Sequence, residues 1–338
     1  MKFTIGIPTY NRAGFLPKAL DCALAQDYSG PYEILVVNNA STDGTGELLQ
    51  DYMERGANRM RVVTNPATIP MHANFNKMFA EARGEYVLIL NDDDRIENTL
   101  LSRFDGVLGD AHNVGILCAR FDTIDRDGTV VGNPSYLPGR SRLTPLEVVR
   151  ELADHGHFIA TVASACHRES FLAVGGFESG SVQFDLVLQM RLLLDSGRDL
   201  LTVPEVLAHV GSHDDSGGFN HFRTHKVVGD QMHAYRSIAR SVREDAGDER
   251  LADQLLNRAM RRLFKYAPII AVASGQDELR LFESAMQREC PSAFRSPLFR
   301  CVLAISRHTP TSLLRALLLM TGDPSIAKLI TTDAKGAR

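Results

Sequence analysis

The chain has 338 residues, 44% hydrophobic and 23% charged, which suits one large domain or two ordinary ones with a buried core. A net charge of −4 excludes a broadly basic protein, and we expect no nucleic-acid partner. The charge is uneven: residues 223–338 carry 19 Lys and Arg against 12 Asp and Glu, while residues 1–222 carry 18 against 29. An acidic front half and a basic back half indicate two regions with different partners.

The cysteine pattern and the N-terminal sequence predict the cellular compartment of the protein. The cysteine count is odd, the spacing is irregular and no CxxC pair occurs, which favours reduced thiols in a cytoplasmic protein. The first apolar run ends at Pro8 and is too short for a signal core, and no stretch of about 20 apolar residues predicts a membrane span. The five cysteines are Cys22, Cys118, Cys166, Cys290 and Cys301.

The front of the chain alternates strands and helices. Its strands are apolar throughout, which predicts an α/β fold with a mainly parallel sheet covered on both faces. The predicted strands are Phe3–Ile7, Glu33–Val37, Met60–Thr64 and Glu85–Leu90, and the predicted helices are Gly14–Gln26, Glu47–Tyr52 and Met71–Ala82.

The rest of the chain is mixed and then helical. Strands are predicted at Val114–Ala119 and Val130–Val131, and helices at Leu143–His155 and Gln183–Ser196. From about Arg223 onward only helices are predicted, at Val227–Arg243, Arg250–Tyr266, Gln276–Arg288, Leu298–Ser306 and Ser312–Thr321.

Three polar clusters each follow a predicted strand of the front region. They read "PTYNR", "NNASTDGT" and "NDDDR". Ligands of parallel sheets bind at the carboxyl ends of the strands, so we expect the three clusters to converge.

The triple aspartate Asp92–Asp94 and the "NNASTDGT" turn each have two interpretations. Carboxylates at a strand end can hold Mg²⁺ or Mn²⁺, and they can equally mark an acidic helix start favoured by the helix dipole. In the turn, Ser41, Thr42 or Asp43 can cap the next helix, and Asn38 or Asn39 can also contact a nucleobase.

Four segments in order resemble the family-2 inverting glycosyltransferases of GT-A fold, over about residues 1–215. They are "IGIPTYNR", "VVNNASTDGT", "NFNKMFAEARGEYVLILNDDD" and "VGGFESGSVQFDLVLQMRL". The resemblance implies a GT-A (nucleotide-diphospho-sugar transferase) domain at residues 1–222 and a helical region at residues 223–338. It also implies a nucleotide site formed by Pro8, Thr9, Tyr10, Arg12, Asn38, Asn39, Asn74 and Asp92.

The same resemblance implies the catalytic residues. Asp93 matches the family's metal-binding aspartate, with Asp94 beside it, and His213 matches a loop histidine that reaches the metal or the diphosphate, with His209 as the second choice. Asp185 matches the catalytic base, and its alternative is an ordinary first-turn helix aspartate. The sequence departs from the family pattern in lacking acidic residues at Asn38, Asn39, Asn91 and Phe184.

The implied activity is metal-dependent, inverting transfer of one sugar from a nucleoside-diphosphate sugar, with UDP or dTDP as the carrier and Mn²⁺ or Mg²⁺ as the cofactor. The family's Q-x-x-R-W motif of processive synthases is absent, which favours single addition. The acceptor would be a glycan, a lipid-linked saccharide or a small molecule.

The alternative is a non-catalytic nucleotide-sugar-binding scaffold of the same fold. A sugar nucleotidyltransferase would carry a glycine-rich basic loop where "PTYNRAGF" stands.

The C-terminal helices lie outside the resemblance. Their basic balance and their apolar stripes fit a packing or homodimer region, and they also fit a peripheral helix at an anionic membrane. The expected location is therefore the cytoplasm, with or without contact at the inner face of the membrane.

Overall fold

The computed structural model describes residues 1–56, 59–132, 134–179, 184–212 and 223–321, together with Ile326 and Ile330. The chain divides into two compact units, an N-terminal unit of Met1–Gly180 with Phe184–Ser212 and a C-terminal unit of Ser181–Gln183 with His213–Arg338.

A nine-stranded sheet forms the centre of the N-terminal unit, in the order β3-β2-β1-β4-β8-β6-β9-β5, with β7 paired to β9. The strands are β1 (Phe3–Thr9), β2 (Tyr32–Asn38), β3 (Met60–Thr64), β4 (Tyr86–Ile89), β5 (Arg95–Ile96), β6 (Val114–Ile124), β7 (Arg142–Leu143), β8 (Ser164–His167) and β9 (Asp199–Gly211).

Apolar spacing and capping residues in the sequence explain where helices of this unit form. In α1 the buried residues Leu16, Ala19, Leu20 and Ala23 repeat at helical spacing, which gives the helix one apolar face toward the sheet. A capping box of Thr144 and Glu147 starts α5. The helices are α1 (Leu16–Leu24), α2 (Thr45–Gly56), α3 (Met71–Glu81), α4 (Leu100–Leu108), α5 (Pro145–His155), α6 (Arg168–Ala173) and α7 (Phe184–Ser196).

The half of the sheet that positions the site is parallel. β1 pairs in parallel with β2 and with β4, and β2 pairs in parallel with β3. Every residue of β1, β2 and β4 is buried, as expected for strands covered on both faces. Their carboxyl ends therefore open on one edge of the sheet.

The other half is mixed, because β8 runs antiparallel between β4 and β6. The strand predicted at Val130–Val131 is wrong: this segment forms one isolated bridge, between Ile124 and Val130. The chain turns back between Asp125 and Thr129 and meets only the last residues of β6, so the pairing stops after one bridge and a hydrogen bond from Val131 to Thr123.

The described part of the C-terminal unit is helical. Its helices are α8 (Lys226–Ala246), α9 (Glu249–Phe264), α10 (Tyr266–Ala273), α11 (Gly275–Glu289), α12 (Pro297–His308) and α13 (Thr311–Leu319). Six of the eight residues of α10 are buried, and α9, α11, α12 and α13 all pack on this helix. None of the helices in the described ranges is long and apolar enough to cross a bilayer.

Candidate active site

The strand ends of β1 and β2 meet in register at one edge of the sheet. Thr9 lies opposite Asn38 as the last pair of the two strands, and Pro8 lies buried one residue before. The backbone N–H of Asn39 donates to the carbonyl of Thr9 at 2.9 Å, which extends the pairing into the loops. The first two of the three polar clusters, those after β1 and β2, are therefore adjacent in the structure.

Asp92 joins this edge from the loop after β4. The hydroxyl of Thr9 donates to one Asp92 oxygen at 3.0 Å, and Nε of Arg12 lies 3.9 Å from the other. Burial raises the pKa of Asp92 to about 6, and the Asp93 charge adds to the rise, while Arg12 and Thr9 oppose it. One carboxylate therefore ties the first and fourth strands of the predicted nucleotide site together.

The loops after β1 and β2 brace each other. The N–H of Asn11 donates to the hydroxyl of Ser41 at 2.9 Å, and the N–H of Thr42 donates to the side-chain oxygen of Asn11 at 2.8 Å. The Asn38 side-chain oxygen accepts from the N–H of Ser41 at 3.0 Å. Tyr10, at 47% exposure, projects from the same loop pair. Hydrogen bonds thus join the two loops into one wall beside Asp92.

Behind this wall lies a buried amide network. The side-chain oxygen of Asn39 accepts from Asn65 at 2.8 Å and from the N–H of Ile69 at 2.9 Å, while its amide nitrogen donates to the Ile69 carbonyl at 2.8 Å. Asn65 also donates to Asn74 at 2.8 Å and accepts from Lys77 at 2.7 Å.

Two predicted nucleotide contacts, Asn39 and Asn74, belong to this network. Both are buried, with 6% and 4% exposure; the Asn39 amide is occupied by the segment after β3, while the Asn74 amide accepts from Asn65 and donates to the carbonyl of Val37 in β2. The structure therefore places them behind the wall formed by the loops after β1 and β2, where they fix the Asn65–Ile69 segment.

Asp93 and Asp94 differ in their surroundings. Asp94 is buried, and its oxygens accept from the N–H of Gly211 and from the side chain of Asn91, both at 2.8 Å. Burial, followed by the Asp93 charge, raises the pKa of Asp94 to about 7. Asp93 is half-buried between these two residues. Asp94 thereby fastens the triple aspartate to the end of β9.

Gly211 allows β9 to approach Asp93 very closely. A Cβ atom at Gly211 would lie 2.2 Å from the carbonyl oxygen of Asp93. Only glycine fits such an approach without moving the backbone. Sequence reasoning missed this residue, because the contact joins positions more than a hundred residues apart.

His209 is held between two carboxylates close to this edge. Its Nδ1 lies 2.6 Å from Asp122 and its Nε2 lies 2.9 Å from Glu97. Burial would lower the pKa of His209, but the hydrogen bonds and charges of Asp122 and Glu97 outweigh it and raise the pKa. His209, the second choice for the predicted metal or diphosphate histidine, therefore already pairs with Asp122 and Glu97.

Asp185 lies in the first turn of α7, where its carboxylate accepts from the N–H of Leu186 at 2.8 Å. Residues 180–183 before it are outside the described ranges, as are His213 and residues 214–222. Arg191 of the same helix binds Glu178 and the Val174 carbonyl, which holds the loop before α7.

A family model described as "Glycosyl transferase family 2" matches residues 4–175, which contain the strand ends, the loop pair and the triple aspartate. The chain belongs to glycosyl transferase family 2. The match ends before Asp185 and β9, so those positions lie beyond the family model.

Two curated relatives of this glycosyl transferase family 2 chain show the extent of the likeness. An uncharacterized glycosyltransferase of Mycoplasma pneumoniae, the MG025 homolog, is 36% identical over 93 residues, which are 27% of this chain and 31% of that protein. Glycosyltransferase GlyA of Streptococcus pneumoniae is 34% identical over 98 residues, 28% of this chain and 13% of that protein. Both alignments span under a third of the relative's own length.

Solved structures extend the fold likeness over nearly the whole family 2 chain. Staphylococcus aureus TarS 1–349 in complex with UDP-GlcNAc superposes with a TM-score of 0.68 at 18% identity, covering 96% of this chain and 93% of that one. The mannosyltransferase PcManGT of Pyrobaculum calidifontis, solved with GDP-Man and Mn²⁺, gives 0.53 at 19% identity, covering 94% and 87%. The predicted GT-A fold with a mainly parallel sheet and a helical C-terminal region is confirmed.

The residues at this edge fit a divalent cation. In the parts of the chain that the structure describes, no three His, Cys, Asp or Glu side chains are arranged to hold a metal alone. Mg²⁺ and Mn²⁺, however, are commonly held by one or two carboxylates together with substrate phosphates. Two carboxylates here have pKa values raised by burial and by the charge of Asp93, and a nearby cation would relieve that repulsion.

Proposed function

We propose that the protein transfers one sugar from a nucleoside-diphosphate sugar, with UDP or dTDP as the carrier, to an acceptor hydroxyl. The observation that carries this proposal is the Thr9–Asp92–Arg12 contact, which joins the ends of β1 and β4 inside a family 2 domain. TarS, which shares the fold, was solved with UDP-GlcNAc, and this supports a nucleotide-sugar donor. The acceptor class is a glycan, a lipid-linked saccharide or a small molecule.

The nucleoside would lie against the braced loops after β1 and β2. Asn38 uses its side-chain oxygen on Ser41, and its amide nitrogen is left to donate to a carbonyl of uracil or thymine. Pro8, Thr9 and Tyr10 would border the ring, and Arg12 would offset the negative charge of Asp92. Asn39 and Asn74 would act indirectly, by fixing the backbone after β3.

Asp93 is the proposed main ligand of a Mn²⁺ or Mg²⁺ ion, with His213 as a second ligand or a diphosphate contact. When bound, such an ion stabilises the negative charge that develops on the departing diphosphate. PcManGT, of the same fold, was solved with Mn²⁺, which supports a divalent ion. Asp94 would support the site through Gly211, because its oxygens already accept two hydrogen bonds.

Asp185 is the proposed general base. Its carboxylate would take the proton of the acceptor hydroxyl as the oxygen attacks the anomeric carbon. Attack opposite the leaving diphosphate would invert that carbon. No covalent nucleophile is needed for a single displacement.

Thermal stabilisation by nucleoside diphosphates tests the donor and metal assignments. We expect UDP or dTDP to raise the Tm of the wild-type protein with Mn²⁺ and much less without it, because the diphosphate needs the ion to approach the aspartates. Asp93→Ala should abolish the dependence on Mn²⁺, whereas Asp51→Ala, at an exposed position on α2, should keep it. An equal shift with and without Mn²⁺ would contradict the metal role of Asp93.

A further inference from the structure

The segment before β8 lies at the edge of the sheet where β4 ends. β8 runs antiparallel to β4, with Ala165 opposite Leu88. A short 3₁₀ helix at Thr161–Ala163 leads directly into β8, and residues 156–160 precede it. Because antiparallel neighbours start at opposite edges of a sheet, this segment begins at the edge that carries the triple aspartate. We call residues 156–160 the 156–160 loop.

The first turn of α7 lies toward the same edge. The last residues of α7 are held at the start of β6, where the side-chain amide of Asn113 donates to the carbonyl of Gly197 at 2.9 Å. β6 runs antiparallel to β8, so β6 starts at the opposite edge of the sheet. Since α7 packs along β6, its first turn, with Asp185, lies toward the edge of the triple aspartate.

A hydrogen bond ties His157 of the 156–160 loop to α7. Nε2 of His157 lies 2.8 Å from Oε1 of Gln189. Gln189 is 2% exposed and follows Asp185 by four residues, so the two side chains lie on one side of α7. The 156–160 loop therefore reaches from the end of β4 to the side of α7 that carries the proposed base.

Three segments pack together beneath this loop. Ile89 of β4, Thr161 of the 3₁₀ helix and Gln189 of α7 line one cavity of about 10 Å³. Such a volume holds one water molecule at most, so the cavity is a gap in the packing and not a ligand site. Phe158 and Ile159 of the loop are buried beside His157. His157 is thus held both by its buried neighbours in the chain and by Gln189.

The hydrogen bond to Gln189 determines what the other ring nitrogen can do. An amide oxygen only accepts hydrogen bonds, so Nε2 of His157 is the donor and carries the proton. Nδ1 of the neutral ring is then an acceptor, and no hydrogen bond within the described ranges engages it. His157 is partly exposed. The ring therefore offers an acceptor nitrogen of the kind that binds a hydroxyl group.

We propose that His157 binds the sugar of the nucleoside-diphosphate sugar, with Nδ1 accepting a hydrogen bond from a hydroxyl of the ring. This inference rests on the proposed sugar transfer. In a single displacement the anomeric carbon lies between the departing diphosphate and the attacking hydroxyl. The proposed diphosphate site is the triple aspartate and the proposed base is Asp185, so the sugar lies between them, where the 156–160 loop runs. Gln189 is the positioning residue that orients the imidazole.

A purely structural role is the competing explanation, in which His157 only fastens the 156–160 loop to α7. Loosening of the loop would weaken the binding of every ligand at this edge, including a nucleoside diphosphate without a sugar. Loss of a sugar contact would weaken the binding of the nucleotide-sugar alone. Comparison of a nucleoside diphosphate with its own nucleotide-sugar therefore separates the two roles.

Calorimetry on the full chain with Mn²⁺ tests the inference. The probes are UDP and dTDP, together with UDP-glucose, UDP-galactose, UDP-GlcNAc and dTDP-glucose, and the nucleotide-sugar that the wild type binds most tightly is used for the variants. His157→Ala should bind this nucleotide-sugar about 5- to 10-fold more weakly, because one hydrogen bond is lost. Its affinity for the matching diphosphate should stay within about twofold of the wild type.

Two further variants control this measurement. His157→Asn places an amide oxygen close to the position of Nδ1, so it should bind the nucleotide-sugar within about threefold of the wild type. His112→Ala, at an exposed position just before β6 and hence at the opposite edge of the sheet, should bind both ligands like the wild type.

The possible failures are distinguishable. A wild type that binds neither UDP nor dTDP with Mn²⁺ would contradict the proposed function, and the inference with it. A wild type that binds a diphosphate, with a His157→Ala variant whose nucleotide-sugar affinity is unchanged, would overturn the inference alone. An equal loss of affinity for the diphosphate and the nucleotide-sugar would also overturn it, since His157 would then only hold the loop.

Discussion

The side chains of Asn39, just after β2, and of Asn74, in the first turn of α3, belong to a buried amide network behind the candidate site. Asn39 lies where the family usually carries an acidic residue, and its amide here uses both a donor and an acceptor on Ile69. An aspartate could accept from the N–H of Ile69, but it would place an oxygen against the Ile69 carbonyl. Asparagine is therefore matched to this local backbone.

Asn39→Asp is expected to lower the free energy of unfolding by about 1–3 kcal/mol, because it breaks one buried hydrogen bond and opposes two acceptors. Urea denaturation measures this loss. Asn257→Asp, at an exposed position of α9, should change stability by less than about 0.5 kcal/mol. A stable Asn39→Asp protein with tighter nucleotide binding would show that residue 39 contacts the base directly.

His209 carries a pH dependence whose sign follows from its two carboxylate partners. Asp122 and Glu97 raise its pKa in the folded state, so its stabilising contribution is present below about pH 6.5 and is lost as pH rises through the raised value. His209→Gln should therefore cost about 1–3 kcal/mol at pH 6 and clearly less at pH 9.

Unfolding of the wild type and of His209→Gln at the two pH values measures this difference. His233→Gln, at an exposed position of α8, is the control and should show the same small change at both pH values. A cost for His209→Gln that grows toward pH 9 would contradict the ion pair.

At the scale of elements, the close contact between Gly211 of β9 and Asp93 leaves no space for a larger side chain. Gly211→Ala would force a methyl group against the Asp93 carbonyl and shift the proposed metal ligand. We expect at least ~10-fold weaker Mn²⁺-dependent binding of UDP or dTDP, measured by calorimetry. Gly229→Ala lies in α8, where a Cβ meets no atom within 4 Å, and should stabilise the protein by about 1 kcal/mol. Unchanged nucleotide affinity in Gly211→Ala would contradict this role.

The sequence predicted the parallel half of the sheet well and the mixed half poorly. β1, β2 and β3 are apolar runs bounded by turn residues, and the observed strands extend the predicted ones by at most two residues at either end. β5 has only two residues and β8 only four, so neither shows a period of its own. β5 pairs with β9 and β8 pairs with β4 and β6, so each of these short strands depends on partners that lie far away in the sequence.

The helical region shows the same limit. The helix predicted at Arg250–Tyr266 ends at Phe264, and a separate helix, α10, runs from Tyr266 to Ala273. Periodicity locates the apolar stripe of each helix but gives little information about where one helix stops and the next starts. The buried α10 became identifiable only from the helices packed around it.

At the scale of the whole molecule, the structure shows where the charged residues of the acidic front half and of the basic back half lie. The acidic front half contains the strand-end carboxylates, where burial raises the pKa of Asp92 and Asp94. The basic back half contains exposed arginines on its last helices, among them Arg300 and Arg315. The two compact units thus carry opposite charge features.

The sequence predicted that the strand-end residues of the candidate site would meet. It did not predict which of these residues have a structural role. Strand-end residues such as Thr9 and Asp92 were expected to meet, because parallel strands share an edge. The structural roles of Asn39, Asp94 and Gly211 depend on hydrogen bonds and close contacts between distant segments. Such contacts leave no local pattern in the chain.

Metal-dependent release of UDP or dTDP from the corresponding nucleotide-sugars, by wild type and by Asp185→Asn, tests the central claim most directly. The account predicts release by the wild type with Mn²⁺, slow with water alone, and a loss of at least ~100-fold in Asp185→Asn with donor affinity within about twofold. Asp195→Asn, later on α7, should keep wild-type release. A fully active Asp185→Asn would contradict the assigned base. A wild type that binds the donor but never releases nucleotide, with any acceptor class, would indicate a non-catalytic scaffold.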